Sequence, residues 1–279
     1  MERLTIESLG DETMNQAVAA VGFCCADVYE KLNQFYPTGN GVDWGVHLAR
    51  MGVPVSVVSV VGTDSYGEKM KQALAAEKID ISHLRMEQGD TCKMMMDLKN
   101  GTDRVHLKEI EGVMADYAIT EDEFEFVSRH TMLHTDLFGK VLDRLPDWKA
   151  HGVRIVMDFS VFSEDPEFQC EKIFPYVDYV FLSYDGKKDE HIKNWVKQIH
   201  SYGPKIVTAT MGELGSISYD GTNLYEYGIV PAKVVNTVGA GDSYIAGFTY
   251  GILNGWEIPE CMKKGAEISS AVVSKFEPY

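Results

Sequence analysis

Val235-Asn236-Thr237-Val238-Gly239-Ala240-Gly241-Asp242-Ser243 is the stretch that decides how this chain is read. An extended approach meets three small residues in a row and then a helical pattern running from Asp242 to Leu253. Two glycines flanking an alanine let the backbone come close to a ligand. Their N–H groups converge at a helix N-terminus, where the macrodipole favours negative charge. Such a turn can hold an oxyanion or a transferring phosphoryl group. A carboxylate at the same place suits general-base work on an incoming hydroxyl. The plainer alternative is that Asp242 only caps the helix and the glycines only serve the turn.

Strands and helices alternate outward from this turn. Ala17 to Cys25 reads as a buried strand, with Asp27 after it, and Val53 to Val61 as a second. Val42 to Met51 is helical and ends at Gly52, and Tyr66 to Glu77 carries one apolar stripe. Further strands are expected at Met132 to Phe138, Val153 to Phe159, Tyr179 to Leu182 and Lys205 to Thr210. Helices are expected at Asp189 to Tyr202 and Glu260 to Lys275. Two stretches break the rhythm. Ser216 to Tyr219 and Leu224 to Tyr227 flank the hairpin signal Asp220-Gly221. Thr91 to Leu98 and Val105 to Ile110 flank Asn100-Gly101, which implies a small antiparallel sheet inserted at one edge. The alternation predicts an α/β fold: a mostly parallel sheet with helices on both faces and ligands at the C-terminal ends of its strands. Residues 1–16 are polar and acidic and read as an extension; 17–279 read as one domain.

Composition narrows the function. The net charge of −16 disfavours nucleic acid and anionic membranes as partners. The most apolar run, Val53 to Val61, is far shorter than the ~20 residues of a membrane span. Glu2, Glu7, Asp11 and Glu12 stand where a signal peptide would be basic and then apolar. The five cysteines are scattered without a C-x-x-C pair, which fits reduced thiols in a cytoplasm.

Several other segments carry polar chemistry. Thr208 to Gly215 ends a strand in a polar loop that either cradles a nucleotide phosphate or is a plain turn. Gly62 to Glu68 has P-loop spacing, but Glu68 stands where lysine is required, so it is not one. Asp27 and Asp43 can bind sugar hydroxyls or cap helices. His130 and His134 lie in a strand pattern, where a four-residue spacing does not bring two metal ligands together. Met94, Met95 and Met96 read as packing.

Taken together, these pieces resemble the PfkB (ribokinase-like) family of sugar kinases. Val235 to Gly247 is similar to the family's C-terminal signature D-T-x-G-A-G-D, and Gly39 to Gly52 to its glycine–asparagine region. Val61 to Gly67 with Asp80-Ile81-Ser82 follows the family's run as well. Within the family, Asp103-Arg104-Val105 and Glu111 to Ala118 look like fructoselysine 6-kinases. The resemblance implies a ribokinase-like three-layer sandwich with a small β lid built from about 29–40 and 91–110. It implies an ATP-dependent kinase with Mg²⁺, acting on a primary hydroxyl, most closely the 6-hydroxyl of a fructosamine. Asp242 would be the base, and Gly239, Ala240 and Gly241 the anion hole. Ser183, Thr210, Gly212 and Gly215 would line the nucleotide; Asp27, Gly39 and Asn40 would meet the sugar. Many members respond to a monovalent cation such as K⁺ near Asn236, and lids pair into homodimers.

The sequence departs from the family at three places. Asp43 stands where asparagine is common; it or Glu111 is a candidate for the ammonium of a fructosamine. Ser183-Tyr184-Asp185-Gly186 replaces N-x-x-E, which leaves Asp185 or Glu190 to reach Mg²⁺ through water. Asn236 replaces the first aspartate of the signature. Arg104 and Lys93 are the lid residues to suspect for an anionic substrate. Fructose, ribose or 2-keto-3-deoxygluconate as substrate, or a catalytically weak binding protein, remain the competing readings.

Overall fold

The computed structural model describes residues 17–99 and 103–279. In chain order the elements are β1 (Val18–Val21), β2 (Cys25–Tyr29), β3 (Gln34–Thr38), α1 (Asn40–Arg50), β4 (Val55–Gly62), α2 (Ser65–Ala76), β5 (Asp80–Glu87), β6 (Lys93–Lys99) and β7 (Asp103–Ile110). Then come α3 (Glu121–Val127), β8 (Met132–Asp136), α4 (Leu145–Ala150), β9 (Arg154–Asp158), β10 (Tyr179–Ser183), α5 (Glu190–Ser201) and β11 (Ile206–Thr210). The hairpin β12 (Ser216–Tyr219) and β13 (Leu224–Tyr227) and the helices α6 (Ala240–Leu253) and α7 (Ile258–Val273) complete the chain.

Nine strands form the main sheet in the order β13-β12-β11-β10-β9-β8-β1-β4-β5. From β5 to β11 the neighbours run parallel; β12 and β13 add an antiparallel edge. All eight residues of β4, Val-Ser-Val-Val-Ser-Val-Val-Gly, are buried, as expected for a strand covered on both faces. Strand alternation divides the core in two. Ala19 and Val21 point into a cluster with Phe124 of α3, Trp148 of α4 and Val196 of α5. Val18 and Ala20 point to the other side, against Trp44 of α1, Met70 of α2, Phe248 of α6 and Met262 of α7. These are the three layers of an α/β sandwich. In α5, Ile192, Val196 and Ile199 form the buried stripe, and the Asp189 carboxylate accepts from the His191 and Ile192 N–H groups to start the helix.

A second, four-stranded sheet in the order β3-β2-β6-β7 sits over the C-terminal ends of the main strands. The structure corrects the sequence reading here. Ala17 to Cys25 is not one strand: the chain leaves the main sheet at Gly22, which packs on Gly139, and enters the lid at Cys25. The run reads as continuous because both strands are buried, so no polar break marks the change of sheet. Asp27 therefore lies within β2 of the lid rather than at the end of β1. The stretch 29–40 contains the strand β3. Strand β5 went unrecognised because it is an edge strand with only Leu84 buried. The Asn100-Gly101 turn lies outside the described residues, as does the extension 1–16. Among the described residues, no helix is long and apolar enough to cross a membrane.

Candidate active site

The glycine turn opens α6 as the sequence implied. Gly239 is the N-cap, at φ 71°, and no side chain caps the helix there. That left-handed backbone favours glycine, and an added Cβ would stand 2.8 Å from the Pro278 carbonyl oxygen. The first-turn N–H groups have no intrahelical acceptor; that of Ala240 donates back to the Thr237 carbonyl at 3.3 Å. A Cβ built on Gly241 meets nothing within 4 Å, so open space lies in front of the turn. Asp242 does not cap the helix; it is only 9% exposed and shares its surroundings with other carboxylates. Asn236 braces the turn from behind: its Oδ1 accepts from the Val238 N–H at 3.1 Å and its Nδ2 donates to the Phe276 carbonyl at 3.0 Å.

Five buried acids gather at this end of the molecule. Asp242 comes from α6, Asp43 from α1, Asp27 from the lid, and Asp136 and Asp158 from the adjacent ends of β8 and β9, where they are register partners. Burial pushes the Asp242 carboxyl up to about 8, and the nearby charges of Asp158 and Asp136 add to this; Arg104 opposes it. Burial likewise raises Asp27 to about 7, against the pull of Arg104. Asp136 rises to about 7, chiefly by burial, although the Phe138 N–H donates to it at 2.7 Å. Asp158 rises to about 6 by burial, opposed by the Ser160 N–H and by Arg104. Asp43 is raised by burial and then by the charge of Asp242, while the Thr38 hydroxyl, 2.8 and 2.9 Å from its two oxygens, opposes the shift. Arg104, on β7, is the cation whose charge reaches Asp27, Asp43, Asp158 and Asp242 alike.

Gly39 and Asn40 bring α1 to the same crevice. Gly39 is the N-cap of α1 at φ 140°, where a Cβ would collide with the Phe23 carbonyl oxygen. Asn40 Nδ2 donates to Asp158 Oδ2 at 3.3 Å, which ties α1 to β9. On the far side, Ser183 and Thr210 are register partners at the ends of β10 and β11, with hydroxyl oxygens 3.5 Å apart. Gly212 begins the short turn that Gly215 ends, just beyond them. The strand order thus sets Ser183 and Thr210 at the ends of the two strands next to the Asp136–Asp158 pair.

Other expected residues stand apart. Glu111 is half-exposed and ion-paired with Lys140 at 2.8 Å, outside the five-acid group. Lys93 is held by Asp90 at 2.9 Å. Asp185 and Glu190 are exposed, and Glu190 lies 3.6 Å from Lys193. Among the described residues, no three His, Cys, Asp or Glu side chains are grouped to hold a metal. His134 lies alone, buried and stacked on Trp44. Asp136 and Asp158 are the residues sequence reasoning missed. Their signal was present: each is an aspartate closing an apolar strand at its C-terminal end.

Comparison with known proteins agrees with this geometry. The model of the pfkB family of carbohydrate kinases matches residues 9–279. Fructoselysine 6-kinase of Shigella flexneri is 34% identical over 92% of this chain and 97% of its own length. Fructosamine kinase FrlD of Bacillus subtilis is 30% identical over 90% of this chain and 88% of its own. In fold, adenosine kinase from Sinorhizobium meliloti superposes with a TM-score of 0.82 at 17% identity, covering 95% of each chain. Ribokinase of Arabidopsis thaliana superposes with a TM-score of 0.78 at 18% identity, covering 94% of this chain and 93% of that one. With its three-layer sandwich, its glycine turn and a family match across nearly its whole length, the chain belongs to the pfkB family of carbohydrate kinases and is a phosphotransferase that acts on a sugar hydroxyl.

Proposed function

We propose that this kinase phosphorylates the primary 6-hydroxyl of a fructosamine, a sugar carrying a secondary ammonium. The observation that carries the reading is the charge of the crevice: Asp27, Asp43, Asp136, Asp158 and Asp242 are all buried, and Arg104 is the cation whose charge reaches every one of them but Asp136. Buried carboxylates of one sign hold their protons until a cation arrives. A substrate ammonium supplies that cation; a neutral hexose does not. The relatives named fructoselysine 6-kinase and fructosamine kinase, at 34% and 30% identity, support the same substrate class.

The residues present fit MgATP at its phosphate end. The open space before Gly241 and the first-turn N–H groups of α6 suit a phosphoryl group, and Ser183, Thr210, Gly212 and Gly215 suit the rest of the nucleotide. When bound, MgATP supplies the phosphoryl group and the counter-charge for its oxygens. The donor set is poor in metal ligands, so Mg²⁺ would be held mainly by phosphate and water, with Asp185 or Glu190 at most through water.

Asp242 then takes the proton of the attacking hydroxyl. Its carboxyl, raised to about 8, is matched to a base working near neutral pH. Asp27 and Asn40 orient the sugar, Asp43 is held in place by Thr38, and the lid sheet screens the crevice from water. The test is ADP release with Mg-ATP on fructoselysine, other fructosamines, fructose, ribose and 2-keto-3-deoxygluconate. The expected outcome is a kcat/KM for a fructosamine well above that for every bare sugar. Turnover confined to a neutral sugar or a sugar acid discards the fructosamine reading, and silence on the whole panel with ATP still bound returns the chain to a binding role.

A further inference from the structure

Beside Asp136 lies a cavity of about 170 Å³, bordered by Phe23, Glu109, Glu111, Leu137, Phe138 and Lys140. Asp136 is its neighbour from the five-acid group. Leu137 and Phe138 follow Asp136 directly in sequence, the Phe138 N–H bonds to the Asp136 carboxylate, and the charge of Glu109 is felt at Asp136. The walls are of two kinds. Phe138, 40% exposed, stands beside Phe23, Phe162 and Phe168 with ring centroids 6.4, 5.7 and 5.8 Å away. Facing these rings is a charged rim. Lys140 is bound to Glu111 at 2.8 Å and to the Ala115 carbonyl at 2.9 Å, so that pair is internally balanced. Glu109 has no ion-pair partner among the described residues, and the rim carries one net negative charge.

A phosphorylated or neutral sugar has no use for such a place. It offers an apolar wall for methylenes, a free carboxylate for a cation, and a lysine that can trade Glu111 for another carboxylate. A cavity of ~150 Å³ holds benzene, so this one encloses about six heavy atoms, the greater part of a lysine arm, and leaves its charged end at the rim. We propose that this cavity is the subsite for the amino-acid arm of the fructosamine, and that Glu109 selects arms ending in an ammonium. The inference rests on the fructosamine reading above. The arm's methylenes lie on Phe138 and Phe23, its terminal ammonium meets Glu109, and its carboxylate meets Lys140.

The test compares two substrates that share the sugar and the secondary ammonium. Fructoselysine has a charged arm; N-butyl fructosamine has an uncharged arm of similar length. Initial rates are measured for the wild type, Glu109→Gln, Glu109→Asp and Phe138→Ala, with melting temperatures to show that each variant is folded. Glu109→Gln is expected to lower kcat/KM on fructoselysine roughly tenfold more than on the butyl compound, through KM rather than kcat, as for a lost charge-assisted hydrogen bond. Glu109→Asp should recover part of the difference. Phe138→Ala should weaken both substrates alike. Equal losses on the two substrates from Glu109→Gln, or none on either, overturn the subsite while leaving a fructosamine kinase standing. A wild type silent on both compounds but active on fructose removes the fructosamine reading, and the subsite falls with it.

Discussion

The main sheet and the lid sheet are built by opposite rules. In the main sheet the central strands are buried on both faces, helices cover each side, and strand order follows an unbroken parallel run from β5 to β11. The lid has four strands in two antiparallel pairs, β2–β3 and β6–β7, joined by parallel pairing of β2 with β6, and its outer strands leave side chains open to water. On the proposed reading the main sheet carries the phosphoryl end of the site, at a helix start and strand ends. The lid carries Asp27 and Arg104, which on the same reading serve the sugar end. Chemistry common to kinases needs donors fixed in advance. Selection among substrates needs groups that can differ without disturbing that frame. The two sheets divide these tasks.

Replacing the base tests the main-sheet half most severely. Asp242→Asn is expected to lower turnover at least about 10²-fold at saturating substrates while the melting temperature holds or rises, because a buried carboxylate is removed. Near-full ADP release from that variant would reduce the main sheet to a scaffold and break the division of tasks.

A lid change should act more gently and on a different parameter. Arg104→Gln removes the cation that opposes the raised carboxyls of Asp27, Asp43, Asp158 and Asp242. The acidic limb of kcat/KM against pH should then move to higher pH, and KM for the sugar should rise by roughly tenfold, the loss of one charged contact. Arg104→Lys should restore the limb. A limb that stays in place would mean that the lid does not govern the charge of the crevice.

The smallest effect concerns stability without substrate. Asp27, Asp136 and Asp242 keep protons up to about 7, 7 and 8 when folded, whereas unfolded carboxyls lose them near ~3.9. The folded state therefore binds more protons, and stability falls as pH rises through those values. His47 and His134, lowered by burial to about 4 and about 3, act in the opposite sense only below their unfolded value of ~6.5. Between pH 6.5 and 8 the acids act alone among these groups, and the melting temperature should fall by roughly 2–4 °C per kcal/mol lost. A flat or rising profile would show that the acids are already ionised in the empty crevice. A loss of slope on adding fructosamine would sharpen the link between crevice charge and substrate.

Much of this molecule is determined by its sequence alone. The hairpin at Asp220-Gly221 and the turn at Gly239 to Asp242 are local patterns, and each forms where it was read; the alternation of buried strands with helices does too, apart from β5, α3, α4 and the split of Ala17 to Cys25. Local patterns carry that information because burial on both faces and helix periodicity are properties of neighbouring residues. What only the tertiary structure decided is membership: which sheet a strand joins, and which acids share a crevice. Val18–Val21 and Cys25–Tyr29 read as one apolar run, yet they belong to different sheets, because both are buried and Gly22 hides the turn between them. Asp136 and Asp158 ended their strands in plain view, but their weight comes from standing in register with each other, with their charges felt at Asp242, and for Asp158 from the reach of a guanidinium on the lid. Burial and charge act through space, so a carboxylate's proton affinity is set by neighbours far away in the chain.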